Sequence, residues 1–122
     1  MQGRVVRRCG HFTVRMMNYP EAFSKATSEI LFPGTLNVDV GRPIGIREDF
    51  RILGKDINEP TQDLLFERCA INGILAYRIR PFVLITGQGG HGDHIIEIAC
   101  TERIPNVAYG TLVEIALFRE LH

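Results

Sequence analysis

The chain has no CxxC pair, no apolar run long enough to cross a bilayer and no excess of charge of either sign. Each absence removes a class of protein. The three cysteines, Cys9, Cys69 and Cys100, have no histidine partner at metal-ligand spacing, which argues against a zinc site and a disulfide framework and leaves free thiols in a reducing cytoplasm as the expectation. No 18-residue apolar stretch occurs, and no long apolar run follows the charges of the N-terminus, so neither a spanning helix nor a secretory leader is expected. Lysine and arginine total 14, as do aspartate and glutamate, so no net field draws the whole molecule to nucleic acid or an anionic membrane. Any anion site has to be local. Repeats, low-complexity tracts and linkers are missing too, and 122 residues are too few for two independent cores, so residues 1–122 are expected to form one domain.

What is present is ordinary globular composition, 45% hydrophobic and 23% charged, enough for a packed core. Gly3 to Met17 contains two β-prone stretches, Arg4–Arg8 and His11–Met16, broken at Cys9-Gly10, and reads as a hairpin or a kinked strand. Pro20 suits the first turn of a short helix near 20–28, with Tyr19, Phe23 and Ala26 on one face. Thr35 to Val40 alternates polar and apolar residues after the turn signal Pro33-Gly34, putting Leu36, Val38 and Val40 on one side and Thr35, Asn37 and Asp39 on the other. Residues 44–60 are polar and punctuated by Gly45, Gly54 and Pro60, which predicts a strand pair with loops. Asn72-Gly73 favours a tight hairpin between strands near 64–71 and 74–79. Strands at 94–99 and 111–117 follow, the first after a glycine-rich loop at 87–92. So many strands with one short helix indicate a mainly β fold, a small barrel.

Three groups of residues stand out chemically. Arg4, Arg7, Arg8 and Arg15 lie within fifteen residues without an acidic neighbour, either as a solvated strand face or as a phosphate-facing patch. Thr35 and Asn37 project from one strand face and offer the hard oxygens that Mg²⁺ accepts, although polar residues are also expected on the exposed face of an amphipathic strand. His91, Asp93, His94 and Glu97 cluster, but strand alternation sends His94 and Glu97 to opposite faces, so a histidine metal site is not expected. Glu97 lies among Ile95, Ile96 and Ile98, where a carboxylate is costly unless it meets solvent or a site. Pattern alone puts it on the solvent face. The loop at 87–92 lacks the Walker spacing and precedes a strand, unlike a dinucleotide loop, so a hairpin loop is the simpler expectation.

The spacing Tyr19-(x3)-Phe23-(x10)-Gly34-Thr35-Leu36-Asn37-Val38 resembles the signature of the archaeal-type CTP-dependent riboflavin kinases. Gly3-Arg4-Val5-Val6 resembles their opening, His91-Gly92-Asp93-His94-Ile95-Ile96-Glu97-Ile98 their late strand with its preceding histidine, and Tyr109-Gly110-Thr111-Leu112-Val113 their closing turn into a final strand. The resemblance implies a six-stranded cradle-loop barrel that transfers the γ-phosphate of CTP to the 5′-hydroxyl of riboflavin to give FMN. It implies Thr35 and Asn37 as Mg²⁺ ligands, and Glu97 as the carboxylate that meets the ribityl end of the flavin and orients or deprotonates the attacking hydroxyl. Glu102 and Arg103 match the segment around the nucleotide. Arg7, Arg8 and Gly10 occupy the place of the family's glycine-rich triphosphate loop, here shorter and with one glycine only. Gly89 occupies the place of a flavin-contacting threonine. The expected partners are CTP or another nucleoside triphosphate and riboflavin or FMN, with no nucleic acid and no membrane. The alternative from a different class is a module on the same barrel that binds a small ligand, nucleotide or protein without catalysis.

Overall fold

The computed structural model describes residues 1–7, 12–83, 94–105 and 107–121. Its longest feature is a hairpin of two ten-residue strands, β4 (Gln62–Ile71) and β5 (Ile74–Val83), joined at Asn72-Gly73. Both turn residues have positive φ, 51° at Asn72 and 80° at Gly73, the type I′ geometry whose twist matches that of paired strands. The turn fixes the register, because Ile71 pairs with Ile74 and every later pair follows from it, out to Gln62 and Val83. Pro81 lies inside β5, where the sequence suggested a break. Ladder bonds recur at every second pair counted from Ile71–Ile74, so Pro81 falls at a pair that exchanges none with β4. The pairing of β5 with β6 (Ile95–Cys100) ends at Ile79, so the missing proline N–H interrupts no ladder on that edge either.

Seven strands form one antiparallel sheet among the described residues. They are β1 (Gln2–Val6), β2 (Leu36–Asp39), β3 (Phe50–Ile52), then β4, β5, β6 and β7 (Leu112–Leu117). Sheet order is β3-β4-β5-β6-β2-β1-β7, and β7 pairs again with β4. One edge of β4 serves two partners: Leu64–Phe66 pair with β3, and Cys69–Ile71 pair with β7. The pairings of β4, β5, β6, β2, β1 and β7 therefore return to their start, and β3 lies outside that circuit. The strands expected at 35–40, 64–71, 74–79, 94–99 and 111–117 are present, the third running on to Val83. Residues 44–60, expected as a strand pair, hold only β3 and a 3-10 turn at Gly54–Ile57.

Alternation divides the apolar residues into two cores. Val5, Val38, Cys69, Ile98, Val113 and Ile115 come from strands all round the circuit and form one buried cluster inside it. Leu64, Phe66, Tyr77 and Ile79 point the other way and are covered by two helices, α1 (Thr13–Asn18) and α2 (Pro20–Thr27). Pro20 opens α2 as expected, and Ser28 closes it in the left-handed region at φ 60°. Phe23 is buried and meets Phe66 edge to face at 5.7 Å, a contact of about 0.5–1.5 kcal/mol beyond its area. Tyr19 packs half-buried against the same cluster.

Helix α1 corrects the expectation of a strand over His11–Met16. Thr13 and Val14 favour strands, yet Phe12 and Met16, one helical turn apart, are both buried on the outer core. Burying a large side chain contributes about 1.5–3 kcal/mol, more than the few tenths by which a β-branched residue disfavours a helix. Tertiary packing wins. No helix among the described residues is long and apolar enough to cross a membrane.

Candidate functional site

Three residues from two distant segments meet on the outer face of the sheet. The β2–β6 register sets Asn37 directly opposite Glu97. Thr35, one residue before β2 and after a turn with Gly34 at φ 105°, donates its hydroxyl to Glu97 Oε2 at 2.6 Å. The backbone N–H of Phe12 donates to the same oxygen at 3.3 Å. Asn37 and Glu97 are each only 7% exposed. The solvent-facing position expected for Glu97, and for Asn37 as part of an exposed polar face, is therefore wrong. Phe12, which enters α1, lies over this part of the sheet, and the segment that covers it is the one read as a strand. The carboxylate tolerates burial because two donors converge on one of its oxygens.

Beside this group a cavity of about 850 Å³ opens between the 32–36 turn and the 102–108 segment. Its walls include Thr35, Leu36, Ile98, Cys100, Glu102 and Arg103. The N–H of Phe32 donates to the carbonyl of Cys100 at 2.8 Å, which ties the turn to the end of β6 and sets the cavity's width. The volume is in the range of small-molecule sites, about 300–1,000 Å³. Glu102 and Arg103 thus join Thr35 at one site. Asn37 and Glu97 do not line the cavity: their strand neighbours Leu36 and Ile98 do, and alternation turns Asn37 and Glu97 to the opposite face of the sheet.

Arg7 lies one residue past the Val6–Asn37 pair, toward the level of Leu36, and its guanidinium sits 4.6 Å from the centroid of the Tyr109 ring. Arg15 does not share that neighbourhood, which corrects the notion of one basic patch: it pairs with Glu59 at 3.3 Å and with Gln62 at 3.1 Å. Arg4 donates to the Gly110 carbonyl at 2.7 Å. His94 Nδ1 lies 2.9 Å from Asp39 Oδ1, at the end of β6 away from Glu97's partners. Arg8, Cys9, Gly10, Gly89, His91 and Asp93 lie outside the described residues.

A second polar group went unnoticed in the sequence. Glu67 is fully buried, with its carboxylate accepting from Arg119 Nε at 2.6 Å and from the Arg47 N–H at 3.1 Å. Arg78, 1% exposed, faces Glu67 at 3.7 Å and donates to the Ile44 and Gly45 carbonyls. Burial brings the Arg78 guanidinium down to about 10, against the pull of Glu67. This cluster fastens the 44–47 loop and a 3-10 turn at Phe118–Leu121 to the hairpin. A signal existed: Glu67 and Arg78 stand equally far from Asn72-Gly73, so a two-residue turn makes them direct partners.

Comparison with protein-family models and with curated proteins gives no match.

Proposed function

We propose that this chain is a phosphotransferase of the CTP-dependent riboflavin kinase kind, with the circuit of six strands acting as a cradle-loop barrel. The observation that carries the reading is the convergence of Thr35, Asn37 and Glu97. They were singled out by motif, and about sixty residues separate Glu97 from the other two, yet a 2.6 Å hydrogen bond and direct strand register join them, and Thr35 lines a cavity together with Glu102 and Arg103.

The donor set suits the metal that the resemblance implies. Thr35 brings a hydroxyl and Asn37 an amide oxygen, hard donors of the kind Mg²⁺ accepts together with waters and phosphate oxygens. Bound there, Mg²⁺ neutralises charge on the oxygens of the transferring phosphoryl group. The remaining work falls to the chain. Arg103 and Arg7 hold phosphate oxygens, as guanidinium groups do. Thr35 and the Phe12 N–H fix the Glu97 carboxylate. The 5′-oxygen of riboflavin forms a bond to the γ-phosphorus as the bond to the β,γ-bridging oxygen breaks. Glu97 takes the hydroxyl proton, and the nucleoside diphosphate leaves.

A second reading, a nucleotide-binding module without transfer, is favoured by one observation: Glu97 is not among the residues that line the cavity. Calorimetry with CTP, ATP, riboflavin and FMN, each with and without Mg²⁺, separates the two. Kinase function requires Mg²⁺-dependent nucleotide binding and riboflavin binding together. Nucleotide binding without riboflavin binding supports the module, and binding of none of the four overturns both.

A further inference from the structure

Tyr109 is 61% exposed, which is unusual for a large aromatic side chain that the backbone holds so firmly. It occupies the second position of a tight turn closed by the Thr111 N–H donating to the Ala108 carbonyl at 3.0 Å. The next residue, Gly110, has φ 88°, the left-handed conformation that the third position of a type II turn requires. Two bonds then pin the turn to β1. The Gly110 N–H donates to the Val5 carbonyl at 2.7 Å, and Arg4 Nη1 donates to the Gly110 carbonyl at 2.7 Å. An exposed aromatic ring is thus mounted on a rigid corner. No burial energy explains it.

The surroundings of the ring point to a ligand. Ala108, immediately before Tyr109, lines the cavity that Thr35, Glu102 and Arg103 share. The Arg7 guanidinium lies over the ring at 4.6 Å, a cation–π contact that sets a positive charge against one face of the ring. A flat π surface, a cation and a largely apolar cavity that carries one arginine, Arg103, occur side by side. That combination matches a planar base joined to a polyphosphate.

We propose that Tyr109 is the platform on which the base of the nucleotide stacks, with Arg7 as the support of the ring and a partner of the phosphates. The proposal rests on the nucleotide-dependent reading of the cavity and adds to it the residue that meets the base. Stacking accepts any base, since every base has a π face, so Tyr109 supplies affinity and orientation while donor choice lies elsewhere in the cavity.

The test compares a ligand that has a base with one that lacks it. CTP and inorganic tripolyphosphate, each with Mg²⁺, are titrated calorimetrically into wild-type protein, Tyr109→Ala, Tyr109→Phe and Arg7→Ala. Tyr109→Ala is expected to weaken CTP about tenfold or more and to leave tripolyphosphate unchanged. Tyr109→Phe is expected to retain CTP affinity, and Arg7→Ala to weaken both ligands. The chain has no tryptophan and three tyrosines, so CTP should also quench tyrosine emission in the wild type and lose most of that effect in Tyr109→Ala. If Tyr109→Ala binds CTP as the wild type does, or loses both ligands equally, the platform is refuted while the nucleotide reading stands. If the wild type binds neither ligand, the nucleotide reading fails and takes the platform with it.

Discussion

The hydroxyl of Thr35 and the carboxylate of Glu97, sixty-two positions apart, are joined by a 2.6 Å hydrogen bond at the point where β2 enters the sheet beside β6. Thr35→Val keeps the shape of the side chain and removes the donor. A buried carboxylate then loses one of its donors, at a cost of about 1.5–3 kcal/mol, the usual range for hydrogen bonds to charged groups. Thr35→Ser keeps the hydroxyl and should stay near the wild type. Urea unfolding of the two variants checks this, and equal loss in both would mean that the methyl group rather than the hydrogen bond matters.

Glu67 is the only acidic group facing the buried Arg78 among the contacts described, and Arg119 completes the cluster. Removing one member of a buried ion group leaves an uncompensated charge, so Glu67→Ala is expected to cost about 3–5 kcal/mol. Arg119 is about one-third exposed, so Arg119→Ala should cost clearly less. Thermal melting of the two variants gives the ranking.

Two buried thiols give the fold an alkaline limit. Burial pushes Cys69 and Cys100 from 9.0 up to about 12, with proximity to Cys100 adding to the effect at Cys69. Their folded values lie above their unfolded ones, so their contribution is fully present below pH 9 and is lost as pH rises toward 12. Arg78, lowered from 12.5 to about 10, acts in the opposite sense over its own range, as a single group against two. Stability should therefore fall between about pH 9 and 12, and Cys69→Ala together with Cys100→Ala should flatten that fall. Chemical denaturation at pH 8, 9.5 and 11 measures the slope.

Gly54 is held against the chain that leads into β4. A Cβ there would lie 2.0 Å from the Glu59 carbonyl oxygen and 2.2 Å from that of Gln62. Backbone cannot step aside as a flexible side chain does, so Gly54→Ala should cost about 1–3 kcal/mol or more, the range for overpacked sites. The midpoint of urea unfolding shows it. A neutral outcome would mean that the 54–62 corner yields easily.

The parts of the fold that are legible in the sequence are those set by local pattern. Asn72-Gly73 fixes a hairpin, Pro20 starts a helix, the alternation at 36–39 is a strand because pleating dictates the period, and the β-prone runs at 95–100 and 112–117 are strands by composition. What the sequence hides depends on a second layer. Thr13-Val14 belongs to a helix because Phe12 and Met16 find an apolar sheet face to cover, a fact that no window of the sequence contains. The burial of Glu97 follows from that same covering layer. Its flanking isoleucines fit a solvent-facing carboxylate and a capped one equally well. Of the site, the GTLN motif and Glu97 were legible as types, and their contact was not, since register between β2 and β6 is decided by long-range pairing.

The central claim is phosphoryl transfer to riboflavin, and the most direct measurement is chromatographic detection of FMN from riboflavin, CTP and Mg²⁺, with ATP run beside CTP. The result expected is FMN from the wild type, a fall of about a hundredfold or more in Glu97→Gln with nucleotide affinity kept, and loss of transfer in Asn37→Leu with the fold intact by thermal melting. Wild-type protein that forms no FMN and shows no Mg²⁺-dependent nucleotide binding would contradict it.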